Sequence, residues 1–383
     1  MANGYLRNGL DKQRAVFHFF FRKNPFNGGY AVAAGLETLL RFAEQAQFND
    51  DDLRYLESLT NPRGNRIFDR NFIRFLEKFR FTVDIYAVPE GSVVFAHEPL
   101  IRVEGNLPEC QLIETILCNI INFQTLIATK ASRMLLASGF GELIEFGMRR
   151  SQGTDGALSA SRAAYVGGFS ATSNVEAGKH YGIPLRGTHS HSWVLSYPSE
   201  EEAFYAFYQD ISGKLWHKTG DGVRPAHAGW GVQAWLYRNR GQPAYKIKLS
   251  EETAKINIPG RLQVRRYYGN NGQMLADAIY DTYTGTPQPG SLIYSPNDPI
   301  KQKKITAYKN EEDLLVKVME NGKCIHPGNT LDKIRKQSIS NLKSLDKSIC
   351  RFINPHYYPA GIEERLYKHR NKLIASLKQI TLN

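Results

Sequence analysis

Residues 109–138 carry apolar side chains at helical spacing for about eight turns. A helix of that length needs neighbours on several sides, so the chain must fold as layers packed around it. Its most apolar part, residues 113–127, is interrupted by Glu114, Asn119, Asn122 and Gln124. A buried packing helix is expected there, not a bilayer span.

Ahead of this helix, AVFHFFFRKNPFNGGYAVAA (residues 15–34) begins as an aromatic strand and turns at Asn24-Pro25 and Asn27-Gly28-Gly29. Helical patterns follow at residues 35–46 and 51–58. Two strands meeting near Pro89-Glu90-Gly91 fit residues 81–96, and a third fits 100–104. After the helix the rhythm becomes strand, loop, helix: a strand at 142–148, a helix at 156–166, an extended segment at 183–197 and a helix at 199–208. Such alternation predicts parallel β/α units with ligand loops at the carboxyl ends of the strands. The rhythm stops near Leu215. Residues 216–240 show neither period and hold three of the four tryptophans. Strand-like AYKIKLSEE and IPGRLQVRRYY come next, then helical patterns at 312–319, 331–345 and 363–377. The expected division is an N-terminal α/β region with the packing helix (1–138), a first set of β/α units (139–215), an aberrant segment (216–236) and a C-terminal region of strands and basic helices (237–383).

Charge is informative by its position. Of the net +12, +9 lies in residues 301–383, which hold 17 Lys+Arg against 8 Asp+Glu. These lysines are scattered and have no interleaved aromatic platform, so a solvated helical face is expected and nucleic acid is not an expected partner. A basic tail that helps hold a small polyanion is the other reading. Cys110, Cys118, Cys324 and Cys350 form no CxxC pair and no zinc spacing, which fits reduced thiols. Arg7 and Asp11 precede a strand-like run, an arrangement unlike a secretory leader. A cytoplasmic protein without a membrane partner is expected.

Two loops could carry chemistry. In EFGMRRSQGTDGALSASRAAYVGGFSATSN (residues 145–174), Arg149 and Arg150 follow a strand and precede several glycines and small hydroxyls. Guanidinium groups in that setting suit a carboxylate or phosphate; alternatively they pair with Glu145 or Asp155. In RGTHSHSWV (186–194), His189 and His191 alternate with Thr188, Ser190 and Ser192, so on a strand both imidazoles would share one face. Metal binding has no third ligand nearby, and the metal expectation is none. Acid, base or nucleophile chemistry is open to a histidine among hydroxyls, and so is a satisfied core histidine.

Longer strings go further. FFRKNPFNGGYAVAAGLE, IYAVPEG, LIETILCNIINFQTLIATKASR, EFGMRRSQGTDGALSASRAAYVGGF, TSNVEAGKHYGIPLRGTHSHSWV, KIKLSEETAKINIPGRLQVRR and NPHYYPAGIEERLY together resemble nicotinate phosphoribosyltransferases. The resemblance covers residues 1–214 and about 237–383. It implies an irregular β/α barrel of the type II phosphoribosyltransferases, here incomplete, plus an α/β sandwich domain. It also implies condensation of nicotinate with phosphoribosyl pyrophosphate, driven by ATP through a phosphorylated histidine, in a homodimer with shared sites. On that basis His191 is the expected phosphorylated residue. Arg149 and Arg150 are expected to hold the nicotinate carboxylate and phosphoribosyl anions, with Thr188, Thr172, Ser173 and Asn174 in the neighbouring loops. Arg22 and Lys23 are candidates to serve a partner subunit. Mg²⁺ is expected on the pyrophosphate, held mostly by substrate oxygens and water.

The resemblance has two gaps. A tyrosine that the family places ahead of MANGYLRNG is missing, and about a hundred residues, several β/α units, are absent between Lys214 and Tyr237. These would carry the loops that hold the phosphoribosyl moiety. The chain as written is therefore expected to be inactive; the alternative is a non-catalytic remnant that at most dimerises with an intact homologue. Residues 216–235, back-translated and shifted by one base, can read as the family's own sequence just before KIKLSEE, so this stretch reads as out of frame. Sequencing the transcript checks this: codons compatible with the shifted peptide are expected, and incompatible codons would sink the idea.

Overall fold

The computed structural model describes residues 1–209, 258–296, 298 and 300–380. The aperiodic stretch 216–236 and the strand-like AYKIKLSEE lie outside them. The described residues form an α/β fold with two larger sheets.

The first sheet has the order β1 (Arg14–Phe20), β5 (Pro99–Asn106), β3 (Asp84–Ala87), β13 (Val316–Glu320) and β14 (Lys323–Cys324), antiparallel throughout. The second runs β11 (Gln302–Lys304), β10 (Leu292–Tyr294), β15 (Ala360–Glu363), β9 (Met274–Asp281), β8 (Leu262–Tyr268) and β12 (Asn310–Asp313). Only its β15–β9 pair is parallel. Two short ladders complete the set: β2 (Ala31–Val32) with β4 (Val93–Val94), antiparallel, and β6 (Ile144–Glu145) with β7 (Ala171–Thr172), parallel. The strands on either side of Pro89-Glu90-Gly91 thus belong to different sheets.

The packing helix runs over Leu107–Ala137. By length and composition it could cross a membrane, but here it packs in two hydrophobic cores. Cys110, Ile113, Leu117 and Ile121 pack with the first sheet and with Val264, Ile279 and Ile362 of the second. Ile127, Ala128, Ala131 and Leu135 pack with Ala160, Ala163 and Ala164 of helix Gly153–Val166 and with Ile334 and Leu342 of helix Leu331–Lys343. Small residues let these helices approach closely. A Cβ on Gly167 would lie 2.3 Å from the Ala128 carbonyl oxygen, so only glycine fits that crossing.

Three expectations change. Residues 312–319 form no helix; they span the end of β12 and most of β13. Tertiary pairing decides this segment: Glu311 and Asp313 bond Arg265 across β8, while Leu314, Leu315, Val318 and Met319 are buried. The strand at 142–148 shortens to Ile144–Glu145 because Met148–Arg150 turns as a single 3-10 coil. Residues 183–197 are not extended throughout, since His191–Leu195 is helical. The expected helices at 35–46, 51–58, 156–166, 199–208, 331–345 and 363–377 are found as Leu36–Gln45, Asp50–Ser58, Gly153–Val166, Glu200–Phe207, Leu331–Lys343 and Glu364–Ile380. Asn49 and Asp52 form a reciprocal capping box on the second of these.

Side chains of the first sheet hold the start of β8. The Leu262 N–H donates to His18 Nε2 at 3.1 Å, and Arg102 donates to the Leu262 carbonyl at 2.7 Å. Glu104 ties Arg102 (2.6 Å) and Arg261 (2.7 Å) together. Burial, reinforced by the Arg102 charge, pushes the His18 imidazole down to about 3, so it serves as a neutral acceptor. A histidine that must stay neutral in the fold loses its stabilising contribution as pH falls below its ordinary 6.5. Urea unfolding is expected to show stability falling from pH 6.5 toward pH 4. His18 should supply up to about 1.4 kcal/mol per pH unit of that slope, and His18→Gln should flatten it.

Candidate functional site

β6 and β7 pair in parallel, and Leu185 forms a parallel bridge to Thr172, so three chain segments end side by side. Residues 171–172 therefore lie between the other two segments. The loops leaving this edge carry Arg149 and Arg150, Ser173 and Asn174, and Arg186 to Thr188. Backbone bonds fix their start: Ser173 N–H donates to Glu145 O at 2.8 Å, and Arg186 N–H to Thr172 O at 3.1 Å. Parallel strands gather ligand-binding loops at this end.

Beneath the edge sits the Glu145 carboxylate, 1% exposed. It accepts from Thr172 Oγ1 at 2.7 Å, Ser161 Oγ at 2.9 Å and the Gly147 N–H. Asn174 donates from Nδ2 to Ser161 Oγ at 3.3 Å and from its N–H to Thr172 Oγ1 at 3.0 Å, and caps helix Val175–Tyr181 through Ala177 N–H. Of the sequence-derived candidates, Thr172 and Asn174 are thus buried in the support of the edge. Arg149, Arg150 and Thr188 are exposed above it, and Ser173 is half-buried.

The two histidines part company. The half-buried His189 sets its ring edge-on to Phe204 at 5.3 Å and Phe207 at 5.5 Å. His191 is exposed and opens the short helix whose N-cap, Ser190, accepts from Trp193 N–H. The shared strand face expected of them is absent because the chain turns helical between them. Trp193 Nε1 donates to Ala203 O at 2.8 Å, which docks this short helix on Glu200–Phe207. Arg22 is half-buried and Lys23 exposed in the turn after β1. Among the described residues no three His, Cys, Asp or Glu side chains converge as metal ligands. A cleft of about 210 Å³ lies elsewhere, lined in part by Gly28, His97, His356 and Tyr358.

Sequence reasoning passed over the residue that holds this edge to the rest of the fold. Arg162, next to Ser161 on helix Gly153–Val166, is 1% exposed. It donates to both oxygens of Glu90 (2.9 and 2.6 Å), to Glu37 (2.8 Å) and to Gln124 of the long helix (3.0 Å). Burial alone would raise the Glu90 carboxyl, but the Arg162 charge and the Gly35 and Leu36 N–H groups outweigh it and hold Glu90 below its ordinary range. The available signal was an arginine at core spacing within ALSASRAAYV. Arg162→Met is expected to cost about 3–5 kcal/mol in urea unfolding, because it strands the buried Glu90. A loss below 1 kcal/mol would show that the pair is dispensable.

Comparison with known proteins supplies the family. A family model described as the nicotinate phosphoribosyltransferase N-terminal domain matches residues 1–122, and one described as the C-terminal domain of the same enzyme matches residues 261–370. Nicotinate phosphoribosyltransferase 2 of Arabidopsis thaliana is 45% identical over 252 residues, 66% of this chain and 43% of the relative. The Bacillus subtilis nicotinate phosphoribosyltransferase is 47% identical over 204 residues, 53% of this chain and 40% of the relative. The chain therefore spans less than half the length of these relatives. Among solved structures, human nicotinic acid phosphoribosyltransferase aligns with a TM-score of 0.79 at 25% identity, covering 98% of each chain. The nicotinate-nucleotide pyrophosphorylase of Pyrococcus furiosus shares the fold, with a TM-score of 0.58 at 18% identity, over 89% of this chain and 92% of that one. Through these two family matches, this chain belongs to the nicotinate phosphoribosyltransferase family, and its described residues have the α/β fold of the type II phosphoribosyltransferases.

Proposed function

We propose that the strand edge bearing Arg149, Arg150, Thr188 and His191 is the remnant of a site that joins nicotinate to phosphoribosyl pyrophosphate. The observation that carries this reading is the alignment of three parallel chain ends, with two exposed arginines above a fully buried carboxylate support. In the full reaction the pyridine nitrogen attacks the ribose C1, the bond to pyrophosphate breaks, and nicotinate mononucleotide is formed. ATP and water are converted to ADP and phosphate through a phosphoryl group carried on His191. The guanidinium groups of Arg149 and Arg150 offset the carboxylate and phosphate charge. Mg²⁺ is proposed to arrive on the pyrophosphate, bound by its oxygens and by water. A cytoplasmic homodimer, with Arg22 and Lys23 serving the partner's site, completes the reading.

The 383-residue chain is proposed to be inactive by itself. Holding the two substrates in line can supply about 7–11 kcal/mol of barrier lowering. By the family resemblance, the loops for the phosphoribosyl group belong to the segment absent after Lys214. Purified chain incubated with nicotinate, phosphoribosyl pyrophosphate, Mg²⁺ and ATP is expected to form no detectable nicotinate mononucleotide. Inserting the missing β/α units should restore turnover that His191→Ala then reduces by orders of magnitude. ATP-stimulated product from the unmodified chain, lost in His191→Ala, would overturn the inactivity and keep the site.

A further inference from the structure

The 210 Å³ cleft lies between the Asn24–Gly29 turn, the β4–β5 connection and the segment before β15. It is smaller than the roughly 300–1,000 Å³ of sites for drug-sized ligands, so it suits a small molecule. One wall is rigid. Tyr358 stacks on Phe95 with ring centres 3.7 Å apart, and its hydroxyl donates to Asp277 at 2.8 Å. Asp277 is held by Arg266 at 2.6 Å. Glu98, behind this wall, is pushed well above the ordinary carboxyl range by burial and by Asp277.

Cationic side chains lie against the Asn24–Gly29 turn, with Lys130 over the Phe26 ring and Arg133 beside Gly28. Arg133, on the buried face of the long helix, is 6% exposed, and its Nε and Nη1 have no hydrogen-bond partner among the described residues. Its only ring contact there is Phe352, 5.0 Å from Cζ. Lys130 lies one turn earlier, and burial together with the Arg133 charge lowers it to about 8. His97, on the cleft wall, is lowered to about 4 by burial and by the charges of Arg370 and Arg22. Asp346, which feels the His356 charge, is engaged with Ser348 and Gln273. The cleft and Arg133 meet at Gly28, whose absent Cβ would lie 2.8 Å from Nη1. Asn24 adds a buried amide oxygen without a partner, and turning the amide would present a donor instead.

A buried guanidinium with two unpaired donors is costly unless an anion completes it. We propose that Arg133 anchors a binding site for a phosphate group at the Gly28 end of this cleft, separate from the strand edge that carries Arg149 and His191. Arg presents parallel donors that match phosphate oxygens. The ligand is inorganic phosphate or the phosphate of a small monoester.

Thermal unfolding of the full chain, titrated with inorganic phosphate at ionic strength held constant with chloride, tests the proposal, because a ligand that binds the folded state raises the midpoint. The midpoint should rise with phosphate in the wild type, and a rise should persist in an Arg149→Gln/Arg150→Gln double variant, which leaves only the cleft to answer. Arg133→Gln should weaken the apparent affinity by about tenfold or more. Gly28→Ala is the second variant: Gly28 has extended φ and ψ of −86° and 170°, which alanine adopts, but the new methyl would crowd Nη1. It should also lose the effect, and it decides the matter should Arg133→Gln fail to fold. Repeating the titration with ribose 5-phosphate distinguishes a monoester, which binds more tightly, from the free ion, which does not. The proposal is overturned by a phosphate response that survives in Gly28→Ala and Arg133→Gln, or one lost only with Arg149 and Arg150. It is equally overturned if Arg133→Gln changes the oligomeric state in sizing chromatography while phosphate has no effect on the wild type.

Discussion

The contact between Glu90 and Arg162 is the one on which the remaining arrangement depends. Glu90 sits in the turn between β3 and β4 and caps the start of helix Leu36–Gln45 by accepting from Gly35 and Leu36 N–H. Arg162 brings to it the helix that also supplies Ser161 to Glu145. A single buried ion pair therefore fixes the distance between the N-terminal layers and the parallel strand edge. Gln124 makes the long helix a third party to the same contact. Neither charge could be tolerated at this depth without the other.

Around that pair the long helix serves two cores at once. Its first half covers the antiparallel sheet, and its second half receives small-residue helices at close range. Alanines at 128, 131, 160, 163 and 164 leave little side-chain bulk between the axes, so the position of helix Gly153–Val166 is set by backbone contact. Rigid placement of that helix carries Glu145 and the loops above it.

Much of this was legible in the sequence. The long helix, the amphipathic helices and the β/α rhythm follow from periodicity, and the family follows from the motif strings. What local pattern could not settle was whatever tertiary partners decide. Residues 312–319 look helical by spacing, but Arg265 on one side and β3 on the other draw them into two different sheets. His189 and His191 look like one strand face, but Trp193 and the Phe204–Phe207 pair pull the chain into a helical turn. Thr172 and Asn174 share a motif with the exposed arginines, and only burial separates support from contact. Arg162 is marked locally only by its place at core spacing, and its partners lie 38, 72 and 125 residues away.

The placement of β13 and β14 bears on how the chain is made. These strands, from residues 316–324, complete a sheet whose other members lie within the first 106 residues. During synthesis β3 must wait with one side unpaired until some two hundred further residues have emerged. An unpaired strand of this kind invites pairing with another nascent chain. Its buried face, Ile85 and Ala87, is apolar and fully covered only in the finished fold. The charged residues that flank it, Asp84 and the late-arriving Lys317, join at 3.2 Å when the sheet closes. The fold's first sheet is thus begun early and finished late, which leaves the growing chain dependent on protection from aggregation during translation.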